Sequence, residues 1–135
     1  MFKTLLITLA VLCVAAPVIA GDVAKGEADF KKCKGCHSII AADGTAIQKG
    51  SKVGPNLFGV VGRSVGSLEG FKYGASILAA NKTGAVWDEA KVAEYLVDPN
   101  AWLQKVTGDP AAKSNMTFKL KDGGPDIAAY LASIK

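Results

Sequence analysis

Cys33, Cys36 and His37 form the segment of the chain with the clearest chemistry. The two cysteines are separated by Lys34 and Gly35, and the histidine follows directly. This spacing is typical of the attachment site of a c-type haem. Each thiol can add to a vinyl group of the porphyrin and become a thioether, and the adjacent imidazole can ligate the iron. The segment therefore predicts one covalently bound haem c, with His37 as an axial ligand.

The same spacing also occurs in zinc sites and in thioredoxin-like redox pairs. A zinc site takes about four Cys, His or carboxylate ligands, whereas the whole chain has 3 Cys and 1 His. The third cysteine, Cys13, lies in a segment that we expect to be removed, so no fourth soft ligand remains. A thioredoxin-like pair would accompany a βαβ pattern, and none surrounds Cys33. We therefore favour the haem interpretation.

Met116 is the candidate for the second axial ligand. It is the only methionine besides Met1, and His37 is the only histidine. A lone methionine usually fills a core, but Met116 lies in the polar segment 113–117 rather than on a helical stripe. Lysine or tyrosine could also bind iron, but a thioether is the ligand that low-spin cytochromes use, and it raises the reduction potential. Filling both positions would leave no open site on the iron.

Residues 1–20 are predicted to be a secretory signal peptide, which leaves residues 21–135 as one domain. Lys3 gives a positive start, the run Thr4–Ala16 is uncharged, and Val18-Ile19-Ala20 is typical of a cleavage site. The run is shorter than the about 20 residues that span a bilayer, so we expect cleavage rather than a membrane anchor. Export to the periplasm agrees with haem c, which is attached outside the cytoplasm.

Helical periodicity and glycine-rich loops predict an all-α domain. About three main helices and some shorter ones would wrap around the haem, whose flat apolar surface would add to a small core. The start signals are Asp22 as a cap and Pro125 at a first helical position. The predicted main helices span Val23–Lys32, Asp88–Val97 and Pro125–Ser133, and the predicted short helices span 74–80 and 100–104.

The ordered series of motifs resembles class I cytochromes c, most closely the long form of bacterial cytochrome c2. The resemblance covers essentially all of residues 21–135, and the extended loops 37–55 and 105–115 favour the long form. Asn115 departs from the pattern, because mitochondrial members carry a lysine there. The segments that carry the resemblance, besides the haem attachment segment, are Gly26, Phe30, Gly54–Leu57, Gly59–Arg63, Gly70–Tyr73, Trp87, Glu94–Pro99, Asn115–Phe118 and Ile127–Leu131.

The resemblance implies a role for five further residues around the haem. The Pro55 carbonyl would accept the second ring N–H of His37 and fix the imidazole. The Tyr95 hydroxyl would point toward the Met116 sulfur and tune the potential. The haem propionates would be hydrogen-bonded or charge-balanced by Arg63, Tyr73 and Trp87.

The resemblance also implies that the first and last helices cross. Gly26 and Phe30 would meet Tyr130 at the crossing, and Gly26 would permit a close approach. Helical spacing also gives the first helix a candidate inner face among Val23, Gly26, Ala28, Phe30 and Cys33. The buried stripe of the last helix would comprise Ile127, Tyr130, Leu131 and Ile134.

A basic face is expected around the exposed haem edge. The net charge is +4, with 16 Lys and Arg against 12 Asp and Glu. Such a face would steer the protein to acidic surfaces of redox partners. The lysines expected there are Lys31, Lys32, Lys34, Lys72, Lys105, Lys113, Lys119 and Lys121, and the acidic residues expected largely elsewhere are Asp22, Glu27, Asp29, Glu69, Asp88, Glu89 and Glu94.

The resemblance implies a soluble periplasmic one-electron carrier, not an enzyme. It would take electrons from the cytochrome bc1 complex and deliver them to a photosynthetic reaction centre or a terminal oxidase. The alternative is a respiratory donor to cytochrome c oxidase or another periplasmic reductase, with no photosynthetic role. We expect a monomer that binds no nucleic acid and does not insert stably into membranes.

Two rival functions need an open iron site. A haem peroxidase or a nitrogen-oxide reductase would also need a distal acid–base group, and the only histidine is already used as a ligand. A gas sensor similar to cytochrome c′ would carry the attachment segment near its C-terminus. Here the segment lies near the start of the predicted mature chain, and Met116 is available as a ligand.

Overall fold

The computed structural model describes residues 21–135, so the predicted signal peptide, its cleavage site and Cys13 lie outside the described residues. The described part contains five α-helices, one two-stranded hairpin and a 3₁₀ turn at Phe30–Lys32. The helices are α1 (Val23–Asp29), α2 (Ala75–Lys82), α3 (Glu89–Val97), α4 (Pro99–Thr107) and α5 (Gly124–Ala132), and the strands are β1 (Ile39–Ile40) and β2 (Ala46–Gln48). The predicted all-α class is confirmed, because the hairpin is a minor addition.

Helix α1 begins where its cap was predicted. The backbone N–H of Lys25 donates to Oδ1 of Asp22 at 3.0 Å, which satisfies one of the free donors of the first turn. The helix ends earlier than expected, because the chain tightens into the 3₁₀ turn that leads to Cys33. The predicted inner face is partly wrong: Val23 and Ala28 are exposed, and only Gly26 and Phe30 are buried.

Helices α1 and α5 cross at Gly26, as the resemblance implied. A Cβ on Gly26 would lie 2.0 Å from the backbone oxygen of Asp126 and 2.8 Å from Cβ of Tyr130. The rings of Phe30 and Tyr130 meet edge to face, with centroids 5.9 Å apart. Only a residue without a side chain permits this approach. Helix α5 is buried over Ile127–Leu131 and also packs against α3.

Asp98 separates α3 from α4. It follows the last residue of α3, and its Oδ1 accepts from the backbone N–H of Ala101 at 3.0 Å, so it caps α4. Helix α4 continues to Thr107 and ends at Gly108 in the left-handed conformation (φ 72°), a common helix stop. It is therefore as long as α3, and the prediction of a short helix over 100–104 was too conservative.

The hairpin was not predicted from the sequence. Strands β1 and β2 pair antiparallel, with Ile39 opposite Gln48 and Ile40 opposite Ala46 and an irregular register between the two pairs. Gln48 is buried and its Nε2 donates to the hydroxyl of Tyr130 at 2.9 Å. This bond ties the hairpin to α5 across the core.

The buried hydrophobic side chains form two clusters. The first is formed mainly by α3, α5 and the 3₁₀ turn, and the second by α2, α4 and the loops beside them; Trp87 packs against both. Within residues 21–135, no helix is both long and apolar enough to cross a bilayer. The first cluster includes Phe30, Val92, Leu96, Ile127 and Leu131, and the second comprises Val65, Ala80, Trp102, Leu103 and Ala112.

Candidate haem site

A cavity of about 450 Å³ lies between the clusters, and every predicted site residue lines it. Its apolar wall comes from α3, α5 and the loop after Pro55. The predicted residues on its surface are Cys33, Cys36, His37, Pro55, Arg63, Tyr73, Trp87, Tyr95 and Met116, and the apolar wall includes Leu57, Val60, Val92, Leu96, Ile127 and Leu131.

The His37 ring is fixed by Pro55. Nδ1 of His37 lies 2.8 Å from the Pro55 carbonyl oxygen. Because a carbonyl only accepts, Nδ1 carries the hydrogen and Nε2 keeps its lone pair for a metal. Burial lowers the pKa of His37, and the bond to Pro55 only partly offsets this. The imidazole is therefore neutral at neutral pH, the form that ligates iron.

Gly54 allows the loop before Pro55 to close on the imidazole. A Cβ at this position would lie 2.3 Å from Cε1 of His37. The backbone N–H of Gly54 also donates to the Cys36 carbonyl at 2.6 Å. Sequence reasoning did not assign Gly54 to the site, although its place directly before Pro55 was a signal. The ring of His37 is thus held on one side by a bond and on another by backbone.

The two cysteines share one turn of backbone. The N–H groups of Cys36 and His37 both donate to the Cys33 carbonyl, at 3.1 and 2.9 Å. Burial raises the pKa of the Cys33 thiol to about 11, so the thiol is protonated at neutral pH. Among residues 21–135, no group of three or more His, Cys, Asp and Glu side chains could hold a metal ion.

Met116 lies in an irregular segment after α4 and is half-buried. Its backbone N–H donates to Oγ of Ser114 at 3.0 Å. The hydroxyl of Tyr95 lies 2.6 Å from the same Oγ. Ser114 therefore joins the Tyr95 hydroxyl to the backbone of Met116, and the expected approach of that hydroxyl to the Met116 sulfur stays a prediction. Burial raises the pKa of Tyr95, against a smaller opposite effect of Ser114.

Arg63 is a half-buried cation without a carboxylate partner in the described part of the chain. Its Nη1 and Nη2 donate to the carbonyls of Phe58 and Asn56 at 3.4 and 3.2 Å. Burial lowers the pKa of Arg63, yet a guanidinium stays charged in proteins. A buried charge of this kind favours an anionic partner in the cavity.

Tyr73 and Trp87 stand on the same cavity surface as Arg63. The hydroxyl oxygen of Tyr73 accepts from the N–H of Leu68 at 3.1 Å, which leaves its own O–H to donate elsewhere. Trp87 stacks on Trp102, with ring centroids 4.8 Å apart. The cavity thus combines an apolar wall, two thiols, an imidazole, a thioether and an unpaired cation. This donor set fits a haem c with its two propionates.

The basic face is narrower than the sequence predicts. Lys32 pairs with Asp29 at 3.6 Å, and Lys119 pairs with Asp98 at 2.9 Å. Lys105 pairs with Glu94. Two of the acidic residues expected largely elsewhere thus pair with these lysines: Asp29 lies three residues before Lys32, and Glu94 on α3 meets Lys105 on the neighbouring α4. The predicted lysines that form no ion pair within 21–135 are Lys31, Lys34, Lys72, Lys113 and Lys121.

The chain is similar to several bacterial cytochromes. It is 56% identical over 127 residues to cytochrome c2 of Rhodobacter capsulatus, which spans 94% of this chain and 93% of that protein. It is 55% identical over 129 residues to cytochrome c-550 of Paracoccus versutus, over 93% and 84% of the two chains. The solved Rhodobacter capsulatus cytochrome c2 matches with a TM-score of 0.82 and 57% identity, over 84% of this chain and 97% of that one. No family model matches the chain.

Proposed function

The chain belongs to the class I cytochrome c family of haem c electron carriers, and from this premise we propose that it is a soluble periplasmic carrier of the cytochrome c2 type. Cys33 and Cys36 would hold the haem as thioethers, and His37 and Met116 would ligate its iron. The bound haem would supply one iron that alternates between the ferric and ferrous states. Arg63, Tyr73 and Trp87 would face the propionates.

One observation supports this assignment above all others. Met116 lines the same cavity as His37, although 78 residues separate them in the chain. An imidazole and a thioether on one iron favour the ferrous state and a high potential. With both positions filled, the protein exchanges electrons without binding a substrate.

The charged surface supports weak and fast docking. Lys72 and Lys113 line the cavity and form no ion pair within residues 21–135. Cations at this place attract acidic surfaces and speed encounter. We propose the cytochrome bc1 complex as the electron donor, and a photosynthetic reaction centre or a terminal oxidase as the acceptor.

The test is a two-sided kinetic assay with the haem-loaded protein. Purified cytochrome bc1 complex is offered as donor, and reaction centres or cytochrome c oxidase are offered as acceptors. We expect reduction by the donor, oxidation by at least one acceptor, and rates that fall as salt rises. Oxidation by the oxidase alone would select the respiratory alternative. Failure of the donor reaction, or rates independent of salt, would contradict the proposal.

A further inference from the structure

The segment that carries Met116 is bound by side chains from two helices. The backbone N–H of Lys113 donates to Oγ of Ser76 at 3.0 Å, and that of Ser114 donates to Oδ1 of Asn100 at 2.7 Å. Ser76 is the second residue of α2 and Asn100 is the second residue of α4. Consecutive amides of one loop are therefore held by separate elements.

Further contacts hold the same segment close to these helices. Nε2 of Gln104, on α4, donates to the Ala112 carbonyl at 3.3 Å. Gly74 directly precedes α2, and a Cβ there would lie 2.8 Å from Nδ2 of Asn115. The beginning of α2 thus lies close to the Asn115 side chain.

These bonds are better suited to fixing a position than to satisfying buried groups. Lys113 and Asn115 are exposed and Ser114 is only half-buried, so water could take the place of a protein acceptor at these amides. Water acceptors would let the segment move, whereas Ser76 and Asn100 belong to helices and hold it in place. Their bonds lie two and three residues before the proposed iron ligand.

We propose that Ser76 and Asn100 are positioning residues for Met116. They hold residues 113–114 in place, and so set how readily the Met116 side chain leaves the iron and admits an outside ligand. The inference rests on the proposed axial role of Met116. It concerns two residues that touch neither the cavity nor the proposed haem.

The test measures imidazole binding to the ferric haem-loaded protein. The loss of the methionine–iron charge-transfer band reports the binding. Imidazole binds only to the opened form, so its apparent affinity reports the open fraction. Because each variant loses one hydrogen bond, we expect Asn100→Ala and Ser76→Ala to tighten imidazole binding roughly threefold to tenfold. Hydrogen exchange at the amides of Lys113 and Ser114 should accelerate in parallel.

Two control variants separate positioning from general stability. Asn100→Asp keeps an oxygen acceptor and should retain the wild-type affinity for imidazole. Asn81→Ala removes a bond of 2.8 Å between Nδ2 and the Val65 carbonyl, in the half of α2 away from the segment. It should lower the denaturation midpoint without changing imidazole binding.

The proposal is overturned if Asn100→Ala and Ser76→Ala bind imidazole as the wild type does, or if Asn81→Ala gives the same gain. Absence of the charge-transfer band from the wild-type protein would instead overturn the axial role of Met116 itself. The two failures are therefore distinguishable in one set of spectra.

Discussion

The ring of His37 is oriented by a carbonyl, and a glycine leaves room for it. The Pro55 carbonyl fixes the tautomer at 2.8 Å, and the backbone at Gly54 passes so close that no side chain fits. An imidazole held in this way would need little rearrangement when an iron bound to it changed charge, which would suit a carrier that cycles between two oxidation states.

Gly54→Ala should therefore damage the site at the ring that Pro55 orients. The new Cβ would lie 2.3 Å from Cε1 of His37, so either the ring or the loop must move. We expect a loss of about 1–3 kcal/mol in the free energy of unfolding and a disturbed ferric spectrum. Denaturant unfolding of the haem-loaded protein measures the first effect.

Gly35→Ala is the matched control, because a Cβ at Gly35 meets no atom within 4 Å. It should change the unfolding free energy by no more than about 0.5 kcal/mol. Equal behaviour of the two variants would show that the close contact at Gly54 does not constrain His37.

Helices α1 and α5 and the hairpin form the framework that holds the attachment segment. Helix α1 leads directly into Cys33 through the 3₁₀ turn. Its contact with α5 is made at Gly26 and Phe30, and the hairpin is joined to α5 by the buried bond from Gln48 to Tyr130. Loss of either connection should loosen the haem site from a distance.

Tyr130→Phe tests the buried link between the hairpin and α5. The variant keeps the ring against Phe30 but leaves Nε2 of Gln48 without its acceptor at 2.9 Å. A buried donor without a partner costs about 1–3 kcal/mol, measured by guanidinium unfolding. Combining it with Gln48→Met removes both polar groups and should restore most of the stability. Wild-type stability of Tyr130→Phe would rule out the link.

Asp126 on α5 forms an ion pair with Lys25 on α1 and so joins the two helices. Its Oδ1 accepts from the N–H of Asp22 and its Oδ2 from Nζ of Lys25, both at 2.8 Å. The hydrogen bond from Lys25 is the main cause that lowers the pKa of Asp126, and the same bond raises the pKa of Lys25. The carboxylate thus stabilises the fold above about pH 4, its ordinary pKa, and this is lost as pH falls through the lowered value.

Asp126→Asn should therefore be less stable than the wild type at pH 7, and the difference should shrink as the pH drops below about 4. Lys25 stabilises below its ordinary pKa and loses this only as pH rises through the raised value, so it does not alter the acid limb. Thermal unfolding between pH 3 and pH 7 measures the difference. Glu27→Gln, at a residue with no ion pair within 21–135, is the control. A pH-independent difference would contradict the assignment.

The sequence predicted those features of the helices that depend on neighbouring residues, but not those that depend on contacts between distant segments. Asp22 and Asp88 cap their helices as a sequence pattern can indicate, because each bond spans only three residues. The exposure of Val23 and Ala28 depends on how α5 crosses α1, which periodicity cannot show. The two strands of the hairpin have only two and three residues, too few for a periodic signal.

The candidate site likewise combines residues that the sequence predicts with contacts that only the folded chain shows. Cys33, Cys36 and His37 follow from spacing, and Met116 from being the only methionine left after Met1. The bond between Tyr95 and Ser114, and the bonds of Ser76 and Asn100, join distant segments. No spacing rule relates these partners, so only the folded chain reveals them.

At the scale of the whole molecule, the cavity carries two lysines that can meet a partner without first breaking an ion pair. Lys72 and Lys113 line it without ion pairs in residues 21–135, whereas Lys105 and Lys119 are paired with Glu94 and Asp98 away from it. A paired lysine must break its own contact before it meets a partner. Screening within about 8 Å at physiological salt also favours charges close to the contact.

Lys72→Ala and Lys113→Ala should each slow electron transfer with an acidic partner by roughly twofold to fivefold at low salt. Lys105→Ala and Lys119→Ala remove the same charge and should have smaller effects. Second-order rates measured against ionic strength give the comparison. If the paired lysines mattered as much as the cavity lysines, the proposed contact face would be wrong.

The most direct test of the account is the visible spectrum of the purified protein in three states: oxidised, reduced, and reduced under carbon monoxide. We predict a low-spin c-type spectrum, a weak methionine–iron charge-transfer band in the oxidised form, and no change with carbon monoxide, because the proposed ligands His37 and Met116 would fill both axial positions. A high-spin spectrum or ready binding of carbon monoxide would contradict the account, since Met116 would then leave the iron open to ligands as a sensor or an enzyme requires.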